Sequence, residues 1–190
     1  MSEGGFTAEK GETVVALPTP MPEGKQMLKQ DAEEGAPVRV EEHIVDGKTI
    51  TIEVYYNVSR EDIEIPEGFS EWETVTLYAD PPSFMERSSY TPEVHQCEVK
   101  YLEDGDLVAV VSAEYEVWYY TDDKVHLYSR TFSKLTAAGY GESYFEYGSI
   151  VNTDGAISYT SGDRFYVKGK GVNRAHAINF FVTPTYYYFY

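Results

Sequence analysis

Between Glu93 and Phe132 apolar and polar residues alternate in three runs separated by two acidic turns. In the first run His95, Cys97, Val99 and Tyr101 take the odd positions, with Gln96, Glu98 and Lys100 between them. Val111, Ala113, Tyr115, Val117 and Tyr119 repeat the pattern against Ser112, Glu114 and Glu116. A period of two marks a strand with one face in a core and one in water. A helix would need apolar residues three and four apart, and Glu114 and Glu116 would interrupt its stripe. The stretch predicts a β-meander.

The turns fix the register. Read as a three-residue loop, Glu103-Asp104-Gly105 sets Tyr101 opposite Leu107, Val99 opposite Ala109 and Cys97 opposite Val111, all on one face. A two-residue loop at Asp104-Gly105 would set Val99 opposite Val110 and mix the faces, so the longer loop is expected. Thr121-Asp122-Asp123 likewise places Val117 opposite Leu127 and Tyr119 opposite Val125 inside, with Glu114 opposite Arg130 outside.

The same grammar extends over most of the chain. VRVEEHIV and KTITIEVYYNV flank Asp46-Gly47, a strong hairpin signal spanning Val38 to Val58. Ser59 to Ile65 reads as an acidic connection whose Ser59 and Asp62 resemble a capping box. Pro66-Glu67-Gly68 is a turn. Trp72 to Ala79 alternates again, with Trp72, Thr74, Thr76 and Tyr78 on one side and Val75 and Leu77 on the other, until Asp80-Pro81-Pro82 stops it. Ser133 to Gly141, small and polar, is expected to cross between sheets. Strands follow at Ser143–Val151, Ala156–Ser161 and Arg164–Lys168, joined by Thr153-Asp154-Gly155 and Ser161-Gly162-Asp163. A last run begins near His176, is interrupted by Pro184 and ends at Tyr190. Roughly ten strands at this spacing predict an all-β fold, an antiparallel β-sandwich with jelly-roll or immunoglobulin-like topology as alternatives. It would occupy 38–190, with a sub-boundary near 80–92. Residues 1–37, broken by Gly and Pro, read as an extended arm. Only the segment around Val14 and Val15 could extend as a strand and add to a sheet edge, of a neighbouring subunit or of its own domain.

Charge narrows the partners. Lys and Arg number 15 against 32 Asp and Glu, a formal net charge of −17. Such a surface is repelled by nucleic acid and by anionic membranes. No run approaches the roughly eighteen apolar residues of a membrane span. The opening MSEGGFTAEKGE lacks the basic and apolar pattern of a signal peptide, so a leader has been removed or another export route is used. An extracellular, cell-surface or virion location is expected.

Catalytic and metal signatures are sparse. Cys97, the single cysteine, excludes an internal disulfide and a four-cysteine zinc site, and its place on the apolar face predicts an inert thiol. There is no Gly-x-Ser-x-Gly, and Gly139-Tyr140-Gly141-Glu142-Ser143 has the wrong spacing. Gly169-Lys170-Gly171 is too short for a phosphate loop, and Asn57-Val58-Ser59 is formally a glycosylation acceptor. His43, His95, His126 and His176 are scattered. Calcium is the cation the turns favour, through Asp104, Asp106, Asp122, Asp123, Asp154 and Asp163, although none spells the twelve-residue ligand loop. Asp also favours turns for its own hydrogen bonds, so no cofactor is expected.

The compositional oddity is 18 Tyr. In the predicted register Trp118, Tyr120, His126 and Tyr128 share the face away from Val117 and Leu127. That strip would stack sugar rings or bind another subunit, unless a second sheet covers it. Tyr186, Tyr188 and Tyr190 in the two-sided aromatic tail would be buried between layers or against another chain. The expectation is a non-enzymatic structural or adhesive subunit of an extracellular or virion assembly, self-associating or meeting neighbouring subunits through the arm and the aromatic C-terminal strand. The alternative is a carbohydrate-binding β-sandwich module using the aromatic strip.

Overall fold

The computed structural model describes residues 36–56, 63–83, 89–138, 142–169 and 172–189, with backbone alone for 142–143, 167–169 and 172–176. Val14, Val15, the rest of 1–35, the Ser59–Asp62 connection and Tyr190 therefore lie outside the described residues. Thirteen strands are present among the described residues. The first six are β1 (Arg39–Val45), β2 (Lys48–Tyr56), β3 (Glu73–Tyr78), β4 (Tyr90–Glu103), β5 (Asp106–Tyr120) and β6 (Val125–Thr136). They make one antiparallel sheet in the order β1-β2-β4-β5-β6-β3, so strands on both sides of 80–92 share it.

The remaining strands are β7 (Glu142–Glu146), β8 (Ser149–Thr153), β9 (Ile157–Ser161), β10 (Arg164–Gly169), β11 (Val172–Ala177), β12 (Phe180–Val182) and β13 (Tyr187–Phe189). They form a three-stranded sheet, β11-β10-β7, and a four-stranded sheet, β13-β12-β9-β8. The two orders match, because β7 runs on into β8, β9 into β10 and β11 into β12. This second layer is in effect one sheet bent at a corner, the way strands commonly pass between packed sheets. Its corner residues are Tyr147-Gly148, Gly162-Asp163 and Ile178-Asn179.

The core lies between the layers. Ile50, Ile52, Val54, Val99, Tyr101, Val111, Tyr115, Val117 and Leu127 of the six-stranded sheet meet Phe165, Phe180, Val182, Tyr187 and Phe189 of the second layer. Tyr115 stacks on Phe180 at 4.8 Å between ring centroids, and His95 on Tyr187 at 4.0 Å. The antiparallel β-sandwich expected from the alternation is present.

The meander's faces follow the sequence, but its register does not follow throughout. Asp104 and Gly105 (φ 50° and 87°) form a two-residue turn of the type that needs both central residues left-handed. Beyond one irregularity in the ladder, Val99 lies opposite Val111 and Cys97 opposite Ala113. A register shift beside Tyr101 and Leu102 restores the faces that the short loop would otherwise mix. The second loop is as expected: Asp123 is left-handed (φ 64°), Val117 faces Leu127 and Tyr119 faces Val125. One strand further on, a second shift between Glu116 and Val117 leaves Tyr128 as an extra residue. Arg130 then pairs with Tyr115 and not with Glu114, and its side chain is directed into the core.

Three other expectations are corrected. Ser133 to Thr136 does not cross between sheets but continues β6, because Thr74 and Thr76 bond Ser133 and Thr131 side chain to side chain at 3.0 Å each. Ser143–Val151 is two strands and not one, broken where a Cβ on Gly148 would collide with the Ser161 carbonyl. His176 lies inside β11, which already begins at Val172 and runs to Ala177, instead of opening the last run.

Candidate functional site

Three places concentrate side-chain chemistry: the corner of the second layer, a buried polar row on the outer face of the six-stranded sheet, and an aromatic ladder beside it.

At the corner, the Arg130 Nη1 donates to both carboxylate oxygens of Asp163, at 3.0 and 3.2 Å. Asp163 is wholly buried and Arg130 is 4 % exposed. Asp163 Oδ1 also accepts the Gly148 N–H at 2.7 Å, while Arg130 Nη2 donates to the Gly148 carbonyl. The Asp163 carbonyl accepts the Ile178 N–H at 2.9 Å. Asn179 Oδ1 accepts the N–H groups of Gly162 and Asp163, at 3.0 and 3.2 Å. Tyr115 donates its hydroxyl to the Ile178 carbonyl at 2.9 Å. Burial pushes the Asp163 carboxyl up to about 6, while Arg130 and the Gly148 N–H draw it down. At neutral pH it is an anion facing a cation. Every oxygen and most of the guanidinium are engaged in holding three chain segments, which is structural work. The adjoining cleft, about 480 Å³ between Tyr147, Gly148, Ser161 and Gly162, carries the Arg164–Glu146 ion pair at 3.5 Å.

On the outer face Glu98 lies opposite Ser112 and is 1 % exposed. Its Oε2 and the Ser112 Oγ have no hydrogen-bond partner. Burial pushes the Glu98 carboxyl up to about 7, Glu53 adds to this and Lys100 opposes it. The thiol of Cys97, buried on the other face, is pushed up by burial to about 12, as an inert core cysteine requires.

The aromatic ladder crosses four strands. Trp118 of β5 sits between Tyr90 of β4 (4.3 Å, 24°) and Tyr128 of β6 (4.0 Å, 18°), both stacked. Tyr78 of β3 closes one end edge-on to Tyr128 at 5.5 Å, and Tyr120 lies 5.5 Å from Tyr90 at the other. Tyr128 is the extra residue of the β5–β6 register shift, and its ring stacks on this face beside Trp118. Glu116 anchors the indole, accepting the Trp118 Nε1–H at 2.8 Å and the Ser129 hydroxyl at 3.4 Å. Trp118, Tyr120, His126 and Tyr128 thus occupy the face expected for them. Three of them, Trp118, Tyr120 and His126, are buried there, 5 % exposed each, although the second layer packs on the opposite face. Burial lowers the His126 pKa, and its Nε2–H donates to the Asp80 carbonyl at 3.1 Å. The accessible rings are Tyr78 (67 %) and Tyr90 (37 %), which sequence reasoning did not single out. Tyr78 was readable from its alternation with Thr74 and Thr76. Tyr90 stood in a stretch that carried no pattern.

The C-terminal aromatics are packed within the chain. Tyr187 and Phe189 enter the core, whereas Tyr188 is buried on the other face of its sheet against Phe181 at 5.0 Å, with Tyr186 half-buried beside it. Two turn aspartates bond protein groups: Asp104 Oδ1 accepts the N–H of Thr49 in β2 at 2.9 Å, and Asp122 takes the nearby Lys124 ammonium at 3.2 Å. Among the described residues no three His, Cys, Asp or Glu side chains group as metal ligands would, and no helix is long and apolar enough to cross a membrane.

No family model matches this chain, and no curated protein and no solved structure matches it.

The Glu98 carboxyl generates a pH prediction. Its proton affinity is higher in the folded chain (about 7, against an ordinary 4.5), so the native state loses stability as pH rises through that window. Glu98→Gln should raise stability at pH 8 by on the order of 2 kcal/mol and flatten the dependence between about 4.5 and 7. Urea denaturation of both forms across that range reads the effect; parallel profiles would show that Glu98 is solvated.

Proposed function

We propose that this chain is a non-enzymatic structural or adhesive subunit of an extracellular or virion assembly. The observation that carries the reading is an exposed apolar stripe on a sheet edge. Val38, Val40 and Ile44 lie on or beside β1, an end strand of the six-stranded sheet, and all are exposed. Apolar edge strands template pairing with another chain, and proteins without such a partner usually blunt them. The net charge of −17 supports the same reading, since it keeps a protein carrying such an edge from associating indiscriminately. The buried titratable groups support it further: Arg130, Asp163 and Tyr115 bond segments of the fold to each other.

A second reading rests on the ladder. Tyr78 and Tyr90 present rings on a rigid sheet, with Trp118 holding their neighbours in line, a surface on which sugar rings can stack as on other aromatic platforms. The binding rings in this reading are the accessible tyrosines, because both faces of Trp118 are covered.

Light-scattering molar mass separates the readings from each other. The full chain is expected to show concentration-dependent assembly, and a chain starting at Val38 reports whether the arm contributes. A full chain that stays monomeric at every concentration would remove the assembly reading. For the second reading, Tyr78→Ala with Tyr90→Ala should abolish retention on immobilised polysaccharides while leaving the melting temperature within a few degrees. Trp118→Ala should instead destabilise the fold by about 3–5 kcal/mol. Absence of retention by the native chain on any polysaccharide ends that reading.

A further inference from the structure

Strand β1 is built with its faces reversed. Arg39, Glu41 and His43 share the core side of the sheet, where Glu41 pairs with Arg39 and with His43 at 3.5 Å each. Val40, Glu42 and Ile44 take the outer side, with Val40 51 % and Ile44 71 % exposed. Their backbones are also unusual in what they offer. The Asp104 N–H donates to the Thr49 carbonyl at 2.8 Å, so Thr49 and the residues alternating with it in β2 bond toward β4. Lys48, Ile50, Ile52 and Val54 then bond toward β1, where they face Val45, His43, Glu41 and Arg39. Val40, Glu42 and Ile44 are left with their N–H and C=O groups directed to the open edge, which no strand among the described residues occupies.

We infer that this edge pairs with β1 of a second copy, antiparallel, about a two-fold axis at Glu42, an inference that rests on the assembly reading above. The register is set by self-complementarity. Centred at Glu42, every outward-facing donor and acceptor meets one on the other copy, and Val40 lies opposite Ile44 twice. On the core side Glu41 faces His43 twice, opposite in charge when the imidazole is protonated. Shifting the centre to Glu41 would oppose Val40 to Glu42, and Glu41 to Glu41. Shifting it to His43 would oppose Ile44 to Glu42. The chosen register has one adverse contact, Glu42 against Glu42, which salt screens. The two six-stranded sheets become one continuous sheet. Two strands of seven residues bury less than the roughly 1,000 Å² of a stable interface, so the contact is weak alone and serves where many copies add up.

The test uses the full chain carrying Glu42→Cys and a short bismaleimide. Cys97 is buried and does not compete. The two positions 42 should lie about 5.5 Å apart between Cα atoms and cross-link to a covalent dimer. Val38→Cys, about 26 Å from its counterpart in this register, should not. Adding Ile44→Lys should lower the dimer yield at least about tenfold, and molar mass of the otherwise native chain should fall with Ile44→Lys alone. If the chain assembles without a link at 42, or position 42 links instead to a cysteine placed at Val14, the pairing inference is overturned while the assembly reading stands. If no assembly occurs, both are overturned.

Discussion

Asp163 is a carboxylate with no exposure to water, and the fold is arranged so that it is never alone. Isolated in a core, such a charge would be intolerable. Here it is matched by Arg130, reached from β6 in the opposite layer, and by the Gly148 N–H. Its own backbone accepts from Ile178 and donates to Asn179. The three places where the second layer bends are therefore tied to one another and to the six-stranded sheet through one residue. Without the pair, the corner keeps the hydrogen bonds of Asn179, Ile178 and Tyr115.

The pair does not have to add much net stability to matter. Desolvating two ions cancels most of their attraction, and an apolar replacement of equal volume is often as stable. What the pair supplies is geometry. An Arg130 side chain that cannot reach Asp163 leaves a buried cation, so alternative corner positions are penalised heavily. Arg130 Nε, buried without an acceptor, shows that even the native arrangement is not free of cost. The outer face has a similar logic at lower stakes. The Glu98 Oε2 and the Ser112 Oγ sit buried without a hydrogen-bond partner in a row where the neighbouring Thr74–Ser133 bond is satisfied.

Much of the architecture was legible in the sequence because alternation and turn chemistry act locally. The Asp46-Gly47 hairpin, the inner faces of β4 and β5, and the pairing of Val117 with Leu127 all follow from neighbours close in the chain. What was not legible came from two extra residues. The shift beside Tyr101 let a two-residue turn coexist with consistent faces, which period-two reasoning forbids. The extra residue at Tyr128 rotated Arg130 from the expected solvent face into the core. Nothing in the local text around Tyr128 announces it, since the groups it serves lie elsewhere: Asp163, 33 positions from Arg130, and the Trp118 ring on the neighbouring strand. The aromatic strip shows the same division. Its face was readable, whereas its burial depends on Tyr90 and Tyr78 arriving from other strands. The C-terminal tyrosines, expected between layers or against another chain, were resolved only by the place of β13 beside β12.

The shape that results is a sandwich tied at its corner by an ion pair, with apolar residues left exposed on β1 and at the ends of the ladder. In the readings proposed above these edges would serve as surfaces, where an ordered partner loses less freedom on binding. The most direct test of this account is a double-mutant cycle on Arg130→Met and Asp163→Leu, followed by urea denaturation at pH 7. Each single substitution is expected to cost about 3–5 kcal/mol, and the double substitution less than the sum by at least about 2 kcal/mol. Single effects below about 1 kcal/mol that simply add would mean that the corner is held by something other than this pair.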